Sequence, residues 1–122
     1  MEQPMNTQEI AQDLVALCRQ GKFGEAGEKY WADDVVSVEA MGADAESRGK
    51  AAARAKGAEW SRTHEVHGAK VEGPYVNGDN FAVHFTMDMT DKTNGQRSTM
   101  DELAFYRLRN GKIAEERFFY SA

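Results

Sequence analysis

A single cysteine, Cys18, occurs in 122 residues. It excludes an internal disulfide and a thiolate metal cage, and leaves the chain compatible with a reducing compartment. Positive charge is also in deficit, with 15 Lys and Arg against 20 Asp and Glu and a formal net charge of -5. Phosphate binding needs an excess of Lys and Arg, so neither nucleic acid nor an anionic membrane surface is expected as a partner. No apolar run approaches the length of a membrane span, and Met1 to Asn6 carries neither a basic nor an apolar signal region, so the expectation is a cytoplasmic protein. Also missing are a glycine-rich phosphate loop, a Gly-x-Ser-x-Gly elbow and a cysteine-histidine pair in a supporting context. His64 and His67 in Thr63-His64-Glu65-Val66-His67 are three residues apart, whereas a zinc helix needs four, so no metal is expected.

What is present suits one core. With 41% hydrophobic and 29% charged residues, the chain reads as a single domain over residues 1–122. Asn6 and Glu9 form a capping-box start to a helix carrying Ile10, Leu14, Leu17 and Cys18 at helical spacing, and Gly21 is its C-terminal stop. Phe23 to Trp31 reads as a short second helix, followed by a strand from about Val35. Met41 to Ser47 is turn-rich, and a third helix is predicted over 49–64, with Ala53, Lys56 or Gly57, and Trp60 on one side. Its basic residues Arg48, Lys50, Arg54, Lys56 and Arg62 read as a solvated face.

From Val66 the period changes to two. A strand broken at Gly73-Pro74 turns at Asn77-Gly78-Asp79 into a second, in which Phe81, Val83, Phe85, Met87 and Met89 alternate with polar residues. Asn94-Gly95 and Asn110-Gly111 are hairpin signals. Read as two-residue turns, they place Met89 opposite Met100, Met87 opposite Glu102, Tyr106 opposite Glu115 and Ala104 opposite Arg117. This register puts Glu102 on the apolar face. It puts His84, Asp88, Asp101, Phe105, Glu116, Phe118 and Tyr120 on the other face, whose aromatic and polar mixture predicts a homodimer through the outer sheet. A one-residue slip would exchange the faces, so Asp101 is the reserve acid.

"YWADDVVSVEA" (residues 30–40) delivers Glu39 at the end of a β-branched run. A carboxylate in such a setting either faces water or has a raised pKa, as a general base does. This stretch, the terminal hairpin "YRLRNGKIAEERFF" (residues 106–119) and the order of elements resemble the nuclear transport factor 2-like superfamily, specifically its SnoaL-like and ketosteroid-isomerase-like branch. The resemblance spans the chain. It implies an α+β cone in which three helices pack on a strongly curved, antiparallel or mixed sheet enclosing a pocket. It also implies that Glu39 matches the isomerase's general-base aspartate. The isomerase's oxyanion-hole tyrosine and protonated aspartate, an enzyme that serves generally as an example of a neutral buried acid, find no match at about Val15 or at Leu103 and Ala104.

Steroid isomerisation is therefore not expected. A pair of Glu39 and Glu102 could still move a proton α to a carbonyl, which needs no cofactor. The expected pocket lining is Trp31, Trp60, His64 and Tyr106, the apolar strand residues Phe85, Met87, Met89 and Met100, and Arg117 with Phe119. Structural alternatives are an ion pair of Glu39 with Arg48 or Lys50, and of Glu102 with Arg117. Three functions fit: an isomerase- or cyclase-type enzyme acting on a small apolar carbonyl substrate, a non-catalytic small-molecule-binding homodimer, or an interaction module using Phe105, Phe118 and Tyr120.

Overall fold

The computed structural model describes residues 5–42 and 45–121. Residues 1–4, most of the N-terminal stretch read above, and residues 43–44, inside the turn-rich segment, lie outside it, as does residue 122. Three helices, α1 (Thr7–Arg19), α2 (Phe23–Tyr30) and α3 (Lys50–Thr63), pack on one sheet. Its strands are β1 (Trp31–Val38), β2 (Glu46–Arg48), β3 (His64–Asn77), β4 (Asn80–Asp91), β5 (Gln96–Arg109) and β6 (Lys112–Phe119). They lie in the order β2-β1-β6-β5-β4-β3, with β1 parallel to β6 and the other neighbours antiparallel. This is the expected α+β architecture. The short β2, at the end of the turn-rich segment, pairs with the end of β1.

Local chemistry accounts for the helix ends. The Asn6 side chain accepts from the Glu9 N–H while Glu9 accepts from the Asn6 N–H, closing the capping box that starts α1. Ile10, Ala11, Leu14, Val15 and Cys18 form its buried stripe. The stripe packs on β3 and β4, where Phe81, Val83, Phe85 and Met87 are buried, each such side chain contributing about 2 kcal/mol. The Arg19 guanidinium donates twice to the Val71 carbonyl, at 3.2 and 2.9 Å, tying the end of α1 to β3.

Register decides the faces. The β4–β5 connection is longer than a two-residue turn, because Asp91 pairs with Gln96. Phe85 therefore lies opposite Glu102 and Met87 opposite Met100. This two-residue displacement from the expected pairing keeps every side chain on its expected face. The β5–β6 turn is two-residue as expected, with Asn110 at φ 53° and Gly111 at φ 76°. The pairing then slips: Leu108 faces Ile113 but Arg107 faces Glu115, leaving Ala114 without a partner. This bulge inverts the rest of β6, so Tyr106 lies opposite Glu116 and Ala104 opposite Phe118. Ile113 and Ala114 are consecutively buried as a result.

Candidate functional site

The inverted half of β6 changes the composition of the inner face. Glu116, expected outside, is 5% exposed, and Phe118 packs against the core edge-on to Tyr106. Arg117 and Phe119, expected in the pocket, lie on the outer face. Arg117 pairs with Glu115 there, so it does not neutralise Glu102, and Phe119 is 55% exposed. Tyr120 also changes sides and feels the charges of Glu39 and Glu102.

Ser37 and Glu116 are partners in the parallel β1–β6 pairing, so their side chains share one face. The Ser37 hydroxyl donates to Glu116 Oε2 at 2.6 Å, and the Trp31 indole Nε1–H donates to Glu116 Oε1 at 2.8 Å. The indole reaches it because α2 carries Gly27, where a Cβ would come within 2.5 Å of the ring. From α3, Lys56 completes the group. Its Nζ donates to Ser37 Oγ at 2.5 Å, lies 3.8 Å from Glu39 Oε1 and sits 5.1 Å from the centre of the Phe118 ring. The cation facing Glu39 is thus Lys56, not Arg48, which pairs with Glu46, nor Lys50, which faces Glu28. Nor is Lys56 part of a solvated face: Ala53, Lys56 and Trp60 form the inward side of α3.

Glu39 and Glu102 enter the same group. Burial pushes the Glu39 carboxyl above its ordinary range, Lys56 opposes this and Glu116 adds to it. Its Oε2 is buried with no hydrogen-bond partner among the described residues. Burial, reinforced by the charge of Glu39, raises Glu102 to about 7, with Lys56 opposing and Glu116 adding. No hydrogen bond enters that balance. Tyr106, stacked on Phe81 with centroids 4.8 Å apart, is pushed well above the usual phenol range, chiefly by burial and next by Glu116. The group thus holds one acid able to keep its proton near neutrality, a second carboxyl with a free oxygen, and a third whose oxygens are both occupied. Such a set can abstract a proton and hydrogen-bond a developing oxyanion.

The other expected residues divide. Phe85 and Met87 are buried, Met100 packs on the core, and Met89 is half-buried towards the β4–β5 turn. Trp60 and His64 stack with centroids 4.6 Å apart and line a 470 Å³ cleft with Phe23 and Val66. A 420 Å³ groove brings Glu102 and Tyr120 towards Leu103 and Phe119. Asp101 is exposed on the outer face, where it accepts from Thr86 and contacts His84 Nε2 at 3.0 Å. Among the described residues no cluster of His, Cys, Asp and Glu could hold a metal, and no helix is long and apolar enough to cross a membrane. Sequence reasoning missed Ser37, Lys56 and Glu116 as a group. Ser37 was within reach of it, since Val35, Ser37 and Glu39 alternate.

The fold is of the α+β cone class, and it turns this set of carboxyls inward. The SnoaL-like domain family matches residues 5–120, and the chain belongs to it. A crystal structure from Mesorhizobium loti superimposes with a TM-score of 0.92 at 55% identity, covering 95% of this chain and 100% of that one. That protein is provisionally named a SnoaL-like polyketide cyclase, and the name also carries the words carbohydrate phosphatase. A Bacillus subtilis protein, provisionally named an isomerase, has a TM-score of 0.79 at 17% identity, covering 96% of this chain and 90% of that one. A Catenulispora acidiphila protein with a ketosteroid-isomerase-like fold, in complex with trimethylamine, has a TM-score of 0.74 at 21% identity, covering 95% and 88%. These last two show the fold alone. No match was found among functionally curated proteins.

Proposed function

We propose that the chain is a cofactor-independent isomerase- or cyclase-type enzyme acting on a small apolar carbonyl compound. Glu39 removes a proton from the carbon α to the carbonyl, and the protonated Glu102 hydrogen-bonds the oxygen on which the enolate charge develops. Returning the proton to a different carbon completes an isomerisation, and Glu39 ends as it began. The observation that carries this reading is the meeting of two carboxyls in one inward group, Glu39 with a buried oxygen that has no partner among the described residues and Glu102 raised to about 7, chiefly by burial and next by the charge of Glu39. Two acids whose surroundings separate their protonation states supply an acid and a base at one pH. The kinship with a protein named as a polyketide cyclase supports the reaction class.

The test is a carboxyl-carbon NMR titration of the two acids, followed by deuterium exchange α to the carbonyl of small cyclic ketones. Glu102 titrating near 7 and moving in Glu39→Gln is the expected result, with exchange slowed about 100-fold or more in that variant. Both acids titrating at ordinary values, independently, would overturn the reading. The 470 Å³ cleft supports a second one, a binding site for a small apolar ligand, which a ligand retained by Glu39→Gln with unchanged affinity would favour.

We also propose a homodimer through the outer sheet face. Leu103 and Phe119 are cross-strand partners, 50% and 55% exposed, and Tyr75 and Phe105 extend the apolar surface. The interaction-module reading loses Phe118 and Tyr120, which point inward. Sedimentation should give twice the chain mass, reduced to one by Phe119→Glu; a wild-type monomer would remove the dimer.

A further inference from the structure

Lys56 is an inward cation among three carboxyls, and its contacts are unequal. An ammonium has donors only and a serine hydroxyl has one proton. With Lys56 Nζ donating to Ser37 Oγ at 2.5 Å, the Ser37 lone pair is engaged and its proton goes to Glu116 Oε2, 2.6 Å away. The Trp31 indole occupies the other Glu116 oxygen. Glu116 is thereby committed to structure. Glu39 is treated differently: Lys56 stands 3.8 Å from Oε1, close enough to attract and too far to hydrogen-bond, and Oε2 has no partner among the described residues.

We propose that Lys56, anchored through Ser37, is a positioning residue that commits Glu116 to the scaffold and leaves Glu39 as the free base. This inference rests on the proton-transfer reading for its chemical meaning and on the contacts above for its geometry. The ammonium favours the ionised form of Glu39 against burial and against Glu116. Anchoring on Ser37 keeps it from closing on Glu39 Oε1, where a direct bond would hold the carboxylate ionised too strongly for it to take a proton. The charged and titratable groups facing this arrangement are Glu39 beyond β1, Glu102 and Tyr106 on β5, Glu116 on β6 and Tyr120 after it.

The test follows the Glu39 carboxyl by NMR titration in wild type, Lys56→Met, Lys56→Arg and Ser37→Ala, with the Trp31 indole proton reporting that the β1–β6 contact is intact. In Lys56→Met the Glu39 midpoint should rise by about one pH unit or more, narrowing the pH range over which it is ionised, and Lys56→Arg should restore most of that range. In Ser37→Ala the released ammonium should close on Glu39 and the midpoint should fall. If Lys56→Met does not fold, Ser37→Ala alone decides, and a Glu39 midpoint unmoved there overturns the proposal. A midpoint unmoved in folded Lys56→Met overturns it too, even with Glu102 still titrating near 7. An ordinary Glu102 in wild type overturns the proton-transfer reading instead and leaves the Lys56 comparison readable.

Discussion

The two faces of the sheet carry acids of the same kind and treat them oppositely. Outside, Arg97 grips Asp88 with two hydrogen bonds of 2.9 and 2.7 Å and holds its carboxyl below the usual range. The Thr86 hydroxyl and then His84 do the same for Asp101. Inside, burial lifts Glu39 and Glu102, and the Lys56 ammonium stands 3.8 Å from Glu39. Strand alternation distributes carboxyls to both faces without distinction. Donors lower Asp88 and Asp101 outside, while desolvation with too few donors raises Glu39 and Glu102 inside. A raised acid is a cost to the fold, tolerated where a function uses it.

The largest break in this comparison is expected from Glu116→Ala, which strips the partner from the Trp31 indole and from Ser37. It should cost about 3 kcal/mol by urea denaturation, since hydrogen bonds to a charged, buried group are lost and Lys56 is left without its relay. Glu102→Gln should act through pH. The carboxyl titrates near 7 in the folded chain against an ordinary 4.5, so the folded state binds the extra proton between these values. Stability therefore falls as pH rises from about 4.5 to 7 and is level above, and the variant should lack this slope, being more stable than wild type at pH 8 by about 3 kcal/mol and no different on this account at pH 4.

Gly27→Ala tests the placement of Trp31 beside Glu116. A Cβ within 2.5 Å of the indole must displace it, costing about 1–2 kcal/mol and shifting the tryptophan emission. The smallest effect belongs to the outer face: Asp88→Asn should leave the denaturation midpoint within error, because exposed pairs are screened and entropically costly.

Several elements followed from nearest-neighbour chemistry. Asn6 and Glu9 make a capping box wherever a helix follows them. Asn110-Gly111 supplies two residues with positive φ, and the alternation from Phe81 to Met87 sorts β4 whatever its partner. Glu39 at the end of β1 and Glu102 on the apolar face of β5 were legible for the same reason. The longer β4–β5 connection leaves the faces as expected, because a shift of two preserves them.

The composition of the site lay beyond that reach. Glu115 and Glu116 are adjacent and chemically identical, and which one turns inward depends on the unpaired Ala114. That bulge is set by how β6 fits simultaneously against β5 and the parallel β1, a balance between distant segments that no local pattern encodes. Lys56 shows a related limit: helical spacing puts Lys56 or Gly57 beside Ala53 and Trp60 while its charge reads as surface, and the convergence of Ser37, Glu39 and Glu116 around its ammonium decides for the inward side. The sequence by itself determined the helices, the turns and the alternation of β4, since each depends on neighbours within a few residues. The tertiary structure alone decided which acids meet, because a single unpaired residue reverses every side chain beyond it.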